Sequence, residues 1–417
     1  MRPHLLAVAI GLLAAQPPSW TPDPKQQAEL AAKKTPWVFR EEQVPAYTLP
    51  DPLRLPDGTR AELIGWEAKG RPATLELFRT HVYGKAPAGL TTASEVVATD
   101  PQALGGKATL KRLRITATDA AGKRFGFPAA VLVPNGLAKP APAVVLINHR
   151  AVGSADPAPA TRDGFWPAEQ IVARGYAAAV FQAGDVDPDD KADAARANGV
   201  RGVWPAGGGT PGQDAWGTLA AWAWGAGRVL DALRQDPAID RARVGVVGHS
   251  RGGKTALWAA AEDTRFAFAV SNNSGRGGAS LTRRGFGEPW PRIVSAFPHW
   301  FGGNYARAAA GPADGVPVDQ HQLVGLIAPR AVYVASAAAD LWADPKGEFL
   351  SLVHAGPVFA LYTLPTLKAD ELPAVDVPLV RGNVGYHVRP GGHALTPADW
   401  GRFLDFADQA AVAGGNP

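Results

Sequence analysis

Short apolar runs recur along the chain and predict the strands of a buried sheet. The runs are rich in β-branched residues and are bounded by turns, a pattern typical of strands that are covered on both faces. They are Leu110–Ala117, Phe127–Val133, Ala143–Ile147, Ala177–Phe181, Val244–Val247, Phe266–Val270 and Ala331–Ala335.

Longer segments between these runs predict amphipathic helices, because their apolar side chains recur at three- and four-residue spacing. The clearest are Asp214–Gln235 and Gly253–Glu262. Strand and helix therefore alternate along the chain. This alternation predicts an α/β fold of three layers, with a mostly parallel central sheet and helices on both faces.

Two segments lack this rhythm. Residues 16–50 are rich in proline, lysine and polar side chains, so we expect an extended N-terminal lead-in rather than a packed element. Residues 274–329 are dense in Gly, Trp, Arg and Phe, and a loop of this length usually shapes an active site. We predict that residues 51–417 form a single catalytic domain with an active-site insertion near 274–329.

The composition excludes several classes of function and of catalytic mechanism but does not identify the mechanism. The chain is 46% hydrophobic and 19% charged, so it can bury a large core. Its formal charge is only +4, and the basic residues form no runs, so we expect no nucleic-acid partner. The chain has no cysteine, which excludes disulfides, thiolate catalysis and cysteine-bound zinc. A mechanism based on serine or on acids is left.

The N-terminus has the pattern of a secretory signal peptide over residues 1–15. Arg2 precedes an apolar stretch from Leu5 to Ala15 that ends in small residues, so we expect a mature chain that begins near Gln16. A membrane anchor is the alternative, but this stretch is too short to span a bilayer. We therefore expect no membrane span and a secreted or periplasmic protein.

Ser250 lies in a G-x-S-x-G motif, Gly248-His-Ser-Arg-Gly252, directly between a predicted strand and a predicted helix. This is the nucleophile elbow of α/β-hydrolases, in which a strained turn exposes the serine hydroxyl. The backbone N–H of the next residue, Arg251, is then placed to stabilise an oxyanion. We predict the α/β-hydrolase fold and Ser250 as nucleophile.

The motif order of this fold requires a C-terminal histidine as base and an acid after a late strand. His393 lies in a glycine-flanked loop before a predicted final helix, so we prefer it to His354 and to His387, which lies within a strand-like run. Asp340 and Asp344 both follow the strand Ala331–Ala335. Asp340 is nearer the strand end and is preferred, whereas Asp344 precedes Pro345 and could cap a helix.

At this point the sequence resembles the glucuronoyl esterases, carbohydrate esterase family fifteen, and especially their bacterial branch. The resemblance covers most of the chain from about residue 140 and is more specific than the serine motif alone. It rests on segments 174–176 (RGY), 184–188 (GDVDP), 248–254 (GHSRGGK), 271–275 (SNNSG), 297–301 (FPHWF), 340–345 (DLWADP) and 391–393 (GGH).

The resemblance implies hydrolysis of esters that join glucuronic acid branches of xylan to lignin alcohols. It implies that Arg251 adds a fixed positive charge to the oxyanion site, and that Lys254, Glu288 and Trp342 bind the sugar. Trp342 could instead be a core or lid tryptophan, and His299 fits a loop-stabilising role better than a catalytic one. We expect no metal or organic cofactor and a monomer.

One departure from the family pattern concerns the acid. Many members, chiefly fungal, carry a catalytic glutamate in a Glu-Ser-Gly motif, where this chain has Asn273. An amide cannot supply the negative charge, so the resemblance leaves the acid role to Asp340. Two alternatives stay open: another carbohydrate esterase, such as an acetyl xylan esterase, and a catalytically inactive hydrolase fold that binds carbohydrate.

Overall fold

The computed structural model describes residues 18–33, 35, 37–151 and 164–413, without the side chains of residues 193 and 411–413. The predicted signal peptide, residues 1–15, lies outside the described residues. All the strands of the described chain that follow belong to one sheet. They are β1 (Thr91–Gln102), β2 (Ala108–Thr118), β3 (Arg124–Pro134), β4 (Ala141–Asn148), β5 (Ala177–Gln182), β6 (Ile239–His249), β7 (Phe268–Asn272), β8 (Ala331–Ala337), β9 (Leu379–Arg381) and β10 (Val384–Arg389).

The sheet has the strand order β1-β2-β3-β5-β4-β6-β7-β8-β10-β9. Its central run, from β5 through β4, β6, β7 and β8 to β10, is parallel. Strands β1, β2 and β3 extend one edge in antiparallel fashion, and β9 pairs antiparallel with β10 at the other. Each predicted strand segment overlaps a strand of this sheet, and the mostly parallel α/β architecture is confirmed.

Helices connect the strands. They are α1 (Pro24–Ala32), α2 (Leu63–Gly65), α3 (Arg71–Phe78), α4 (Ala103–Gly106), α5 (Ala168–Ala173), α6 (Ala183–Val186), α7 (Asp193–Arg196), α8 (Val200–Val203), α9 (Thr218–Gln235), α10 (Arg251–Glu262), α11 (Trp290–Ala296), α12 (Gly303–Ala308), α13 (Gln320–Gly325), α14 (Pro345–Leu361) and α15 (Pro397–Ala413). Short 3₁₀ turns lie at Glu41–Gln43, Ala313–Gly315, Leu341–Ala343 and Ala369–Glu371, and π turns at Trp66–Gly70 and Arg79–Tyr83.

Alternate residues of the central strands face two separate hydrophobic cores. In β4, Val145 and Ile147 pack into a large core that includes residues of α9, α10, α13 and α14. Val144 and Leu146 point the other way, into a core with residues of α5 and α15. Because successive side chains of a strand lie on opposite faces, a strand buried on both faces must be apolar throughout. The apolar runs in the sequence have this origin.

The N-terminal segment differs from the expectation of an extended lead-in. Residues Pro24–Ala32 form helix α1, capped by the side chain of Asp23, which accepts a hydrogen bond from Lys25 N at 2.8 Å. Trp20, Leu30 and Phe39 are buried. Burial of these widely spaced apolar side chains, rather than a continuous periodic pattern, holds the segment against the domain.

The predicted insertion, residues 274–329, contains α11, α12 and α13 and is organised around a buried arginine. The guanidinium of Arg276 donates to the backbone oxygens of Glu288 at 2.7 Å, Leu281 at 3.0 Å and Phe286 at 2.5 Å. One side chain therefore satisfies carbonyl groups that a loop cannot satisfy by regular pairing.

Within the described residues, no helix has the length and apolar character needed to cross a membrane.

Candidate active site

Ser250 lies between β6 and α10 with φ 56° and ψ −124°, a conformation that L-residues rarely adopt. Its backbone N–H donates to Asn272 O on β7 at 2.8 Å, and Gly253 N donates back to Ser250 O at 2.9 Å. A side chain at Gly248 would place its Cβ 1.9 Å from Gly252 O. The elbow therefore requires glycine at this position, as the motif predicts.

His393 and Asp340 form a hydrogen-bonded pair at the carboxyl edge of the sheet. His393 Nδ1 lies 2.6 Å from Asp340 Oδ2. The two loops are joined by Ala339 N, which donates to Gly391 O at 2.9 Å. With Nδ1 held by the carboxylate, Nε2 is the ring nitrogen left to exchange a proton with a substrate or a nucleophile.

The imidazole of His393 packs beside the nucleophile elbow. Its ring centroid lies 4.5 Å from that of His249, the residue that directly precedes Ser250. In the described structure, the Ser250 hydroxyl and the His393 ring do not form a hydrogen bond with each other. Hydrogen bonds of this kind are often long or misaligned without substrate and tighten in the enzyme–substrate complex.

Asn273 occupies the position where many family members carry a glutamate. Its Nδ2 donates to Asp340 Oδ2 at 2.9 Å, and its backbone N–H donates to Ala335 O at 2.6 Å. The amide therefore contacts the carboxylate instead of replacing it. One oxygen of Asp340 accepts hydrogen bonds from both Asn273 and His393, which fixes its orientation.

Asp344, the alternative acid, faces away from His393. Its carboxylate accepts hydrogen bonds from Arg284 Nε at 3.2 Å and from Gly347 N at 2.9 Å. It is fully buried and serves as the N-cap of α14, the second role that the sequence suggests for it. The structure brings His393 to Asp340 and not to Asp344.

Arg251 makes its strongest contact with a residue that sequence reasoning missed. Its guanidinium forms an ion pair with Asp189, which follows α6. The same carboxylate accepts hydrogen bonds from His299 Nε2 at 2.9 Å and from Trp300 Nε1 at 2.8 Å. This contact joins the insertion to the segment after α6, which fits the loop-stabilising role expected for His299. Asp189 directly follows the Gly184–Pro188 motif, so its place in the chain was the available signal.

Lys254 lies buried one turn beyond Ser250. Its Nζ donates to Arg276 O at 2.7 Å and to Ser274 O, which leaves one of its three N–H groups without a hydrogen bond among the described residues. Burial lowers the pKa of Lys254 to about 8, against the opposing effect of the nearby Glu288 and Glu348 carboxylates. At neutral pH the ammonium form still predominates.

Glu288 and Trp342 are brought together by their backbones. Glu288 N donates to Trp342 O at 3.0 Å, and the Trp342 side chain is exposed. Trp37, from the N-terminal segment, meets Trp342 edge-on, with ring centroids 4.1 Å apart and an interplanar angle of 86°. Trp342 is therefore a surface tryptophan, two residues beyond Asp340, rather than a core residue. Sequence reasoning missed Trp37, because it lies far from Trp342 in the chain.

A buried carboxylate, Glu348 on α14, lies beneath these loops. It accepts hydrogen bonds from Gly275 N at 2.8 Å, Ser274 Oγ at 3.2 Å and Ser336 Oγ at 2.6 Å. Burial raises its pKa to about 8, although these hydrogen bonds oppose the shift. Glu348 on α14 therefore ties the loop after β7 to strand β8.

The other histidines near the site stay neutral or are structural. Burial lowers the pKa of His149 to about 3 and that of His249 well below its ordinary value. His387 is fully buried, with Nε2 2.9 Å from Asp399 Oδ1, and His354 packs near His321. His387 lies within β10, as its place in a strand-like run predicts. Among the described residues, no cluster of three or more histidine and carboxylate side chains is arranged to hold a metal ion.

Comparison with known proteins gives consistent matches. Residues 115–362 match the family model described as glucuronyl esterase, fungi. The chain is 37% identical to "Carbohydrate esterase MZ0003" from an unknown prokaryotic organism, over 95% of this chain and 96% of that protein. It is 39% identical to 4-O-methyl-glucuronoyl methylesterase 1 of Sodiomyces alcalophilus, over 30% of this chain and 27% of that protein. The solved structure of a glucuronoyl esterase from Solibacter usitatus superposes with a TM-score of 0.80 at 36% identity, covering 88% of this chain and 99% of that one.

Proposed function

The chain belongs to the glucuronoyl esterase family, and from this membership we propose that it is a serine carboxylester hydrolase that cleaves esters of glucuronic acid or 4-O-methyl-glucuronic acid. The observation that carries the proposal is the placement of the site. A strained serine at the β6–α10 elbow lies beside a His393–Asp340 pair, and His393 Nε2 has no hydrogen-bond partner among the described residues, so it can act as base.

In the proposed mechanism, Ser250 Oγ attacks the ester carbonyl carbon of the uronoyl group. His393 Nε2 takes the hydroxyl proton and then returns it to the leaving alcohol as the C–O bond breaks. Water, deprotonated by the same nitrogen, attacks the acyl-enzyme and releases free glucuronate and Ser250. Asp340 stabilises the imidazolium that forms in each half of the reaction.

The negative charge that develops on the carbonyl oxygen is stabilised by hydrogen-bond donors that are already in place before the reaction. The backbone N–H of Arg251, the first residue of α10, is one such donor, and the guanidinium of the same residue provides a fixed positive charge nearby. Such groups act more strongly on the transition state than on the ground state, because the oxygen becomes negative only as the bond to Ser250 forms.

The sugar ring would lie against Trp342, with Lys254 and Glu288 on its hydroxyl groups. An exposed tryptophan face suits a pyranose ring, and the buried lysine retains one free donor among the described contacts. The backbone contact between Glu288 and Trp342 supports a joint role. An acetyl esterase would have little use for these residues around a sugar acid.

The decisive experiment compares benzyl glucuronate with an acetylated sugar as substrates for the wild type and for Ser250→Ala. We expect turnover of the glucuronate ester to exceed that of the acetyl ester, and Ser250→Ala to lose several orders of magnitude. Preference for the acetylated sugar would favour an acetyl xylan esterase. Unchanged function in Ser250→Ala would favour a non-catalytic carbohydrate-binding protein.

The setting of the reaction is a further part of the proposal. Esters that join glucuronoxylan to lignin alcohols occur in extracellular polymers, and the predicted signal peptide fits an enzyme exported to reach them. Expression of residues 1–417 in a secreting host, followed by mass determination of the mature N-terminus, tests this. We expect cleavage near Gln16, whereas an intact N-terminus in the cell extract would contradict export.

A further inference from the structure

Asp189 connects three segments of the site through one carboxylate. It follows α6, and it contacts Arg251 at the start of α10 as well as His299 and Trp300 in the insertion. Oδ1 accepts both hydrogen bonds from the insertion, while Oδ2 faces the guanidinium of Arg251. Oδ1 therefore binds the insertion, and Oδ2 binds Arg251.

The carboxylate is a permanent anion in this setting. Burial opposes its ionisation, but the hydrogen bonds from His299 and Trp300 and the charge of Arg251 outweigh burial and lower the pKa of Asp189 well below its usual range. A cation at the first residue of a helix is unfavourable, because the helix dipole is positive there. The charge of Asp189 offsets this repulsion where Arg251 begins α10.

The Arg251 side chain is also restricted from its other faces. Its guanidinium carbon lies 4.8 Å from the centre of the Trp300 ring and 5.4 Å from that of Phe297. These two rings stack in parallel with centroids 3.8 Å apart, so they form one rigid wall. Arg251 Nε is buried and has no hydrogen-bond partner among the described residues. The Arg251 side chain therefore has few alternative rotamers, because the Asp189 carboxylate and the stacked rings of Phe297 and Trp300 restrict it.

We propose that Asp189 is a positioning residue for Arg251, which it holds against the Trp300 wall so that the guanidinium charge is preset beside Ser250 before the oxyanion forms. The proposal rests on the role of Arg251 given under the proposed function. Preset charge stabilises a transition state without reorganisation during the reaction, so a mobile Arg251 would lower kcat more than it raises KM.

The test is a double-mutant cycle of Asp189→Asn and Arg251→Ala, measured with benzyl glucuronate. The introduced amide would keep an oxygen for His299 and Trp300 but lose the charge that holds Arg251. We expect kcat to fall about 10-fold in Asp189→Asn and about 100-fold or more in Arg251→Ala, with little change in KM. In the Arg251→Ala background, Asp189→Asn should have no further effect on kcat, because the residue that it positions is gone.

Two matched variants separate positioning from folding. His299→Leu removes an insertion contact of Asp189 but keeps the ion pair, so its kcat should stay near that of the wild type. Asp189→Ser also removes the charge, keeps an oxygen that can accept a hydrogen bond, and takes the place of Asp189→Asn in the cycle if that variant does not fold. An equal loss of kcat with and without Arg251, or no loss in the wild-type background, overturns the proposal.

The outcome is separable from that of the proposed function. If the wild type does not hydrolyse benzyl glucuronate but does hydrolyse a simple acetyl ester, the proposed substrate class fails. The same cycle can then be run on the acetyl ester, because an oxyanion forms from any ester carbonyl. Coupling between Asp189 and Arg251 on that substrate would support the positioning role on its own.

Discussion

His393 Nδ1 lies 2.6 Å from Asp340 Oδ2, and the two side chains differ sharply in exposure, 46% for His393 against 6% for Asp340. The anion is therefore shielded from water while the imidazole stays accessible to substrate. A shielded carboxylate holds the ring tautomer more firmly and stabilises the imidazolium more strongly, because water screens it less. This pairing supports our proposal that the catalytic acid lies in the loop after β8, in a chain that has Asn273 after β7.

Asp340→Asn should lower kcat/KM for benzyl glucuronate by about 10³–10⁴-fold with little change in the thermal unfolding temperature. The amide retains the shape of the side chain but cannot stabilise the imidazolium, and it can turn the ring to the wrong tautomer. Asp344→Asn is the matched control, because Asp344 pairs with Arg284. The kcat of that folded variant should stay within a few fold of wild type. The reverse ranking of the two variants would move the acid to Asp344.

Trp37→Ala should raise KM for benzyl glucuronate by roughly 2- to 10-fold and leave kcat almost unchanged, because an edge-to-face aromatic pair contributes about 0.5–1.5 kcal/mol. Without Trp37, the Trp342 ring loses its edge-on contact and keeps the more distant contact with the Phe39 ring. Trp37→Phe should retain most of the wild-type affinity. The matched measurement uses a simple acetyl ester without a sugar, for which KM should not change. A fall in kcat on both substrates would mean that Trp37 supports the fold instead.

Gly248→Ala should abolish detectable hydrolysis and destabilise the protein by about 2 kcal/mol or more, since the new Cβ would lie 1.9 Å from the backbone oxygen of Gly252. Both atoms belong to the turn that exposes Ser250, so neither can move without displacing the hydroxyl. Gly315→Ala is the control, because no atom lies within 4 Å of a Cβ there. Steady-state kinetics and thermal unfolding of both variants check the expectation. Normal activity in Gly248→Ala would show that the elbow tolerates a side chain.

The central strands could be predicted because burial on both faces requires a continuous run of apolar residues in the sequence. Val145 and Val144 must both be apolar, since each faces a different core. The edge strand β1 has no such continuous apolar run in its sequence. Most of its residues are exposed, and its pairing with β2 is made by backbone groups that any sequence provides. Helix α1 was missed for a similar reason, because only Leu30 within it is buried.

The site residues also differ in whether the sequence marks them. Ser250 lies in a local motif, and His393 and Asp340 follow from chain order within a known fold. Trp37 contacts Trp342 across a long stretch of chain, and nothing near Trp37 in the sequence marks that contact. Asp189 directly follows the Gly184–Pro188 motif, but the motif does not show that Asp189 contacts Arg251. Their roles depend on packing between loops, which only the folded chain determines.

Glu348→Gln should become more stable relative to wild type as pH rises from 5 to 8. The pKa of Glu348 is raised from an ordinary 4.5 to about 8, chiefly by burial. Above pH 4.5 the unfolded chain releases this proton while the folded chain keeps it, so its contribution to stability is complete below 4.5 and is lost as pH approaches 8. Glutamine preserves the shape of the side chain and does not titrate.

The measurement is the free energy of unfolding by urea at several pH values for wild type and variant. The difference between them should grow by several kcal/mol across this window, since each pKa unit corresponds to about 1.4 kcal/mol. Lys254 and Asp340 lie close enough to interact with Glu348, but both are present in the two proteins. The exposed Glu62→Gln controls for loss of a carboxylate as such. A difference that is constant with pH, or that shrinks toward pH 8, would mean that Glu348 is already ionised in the folded protein.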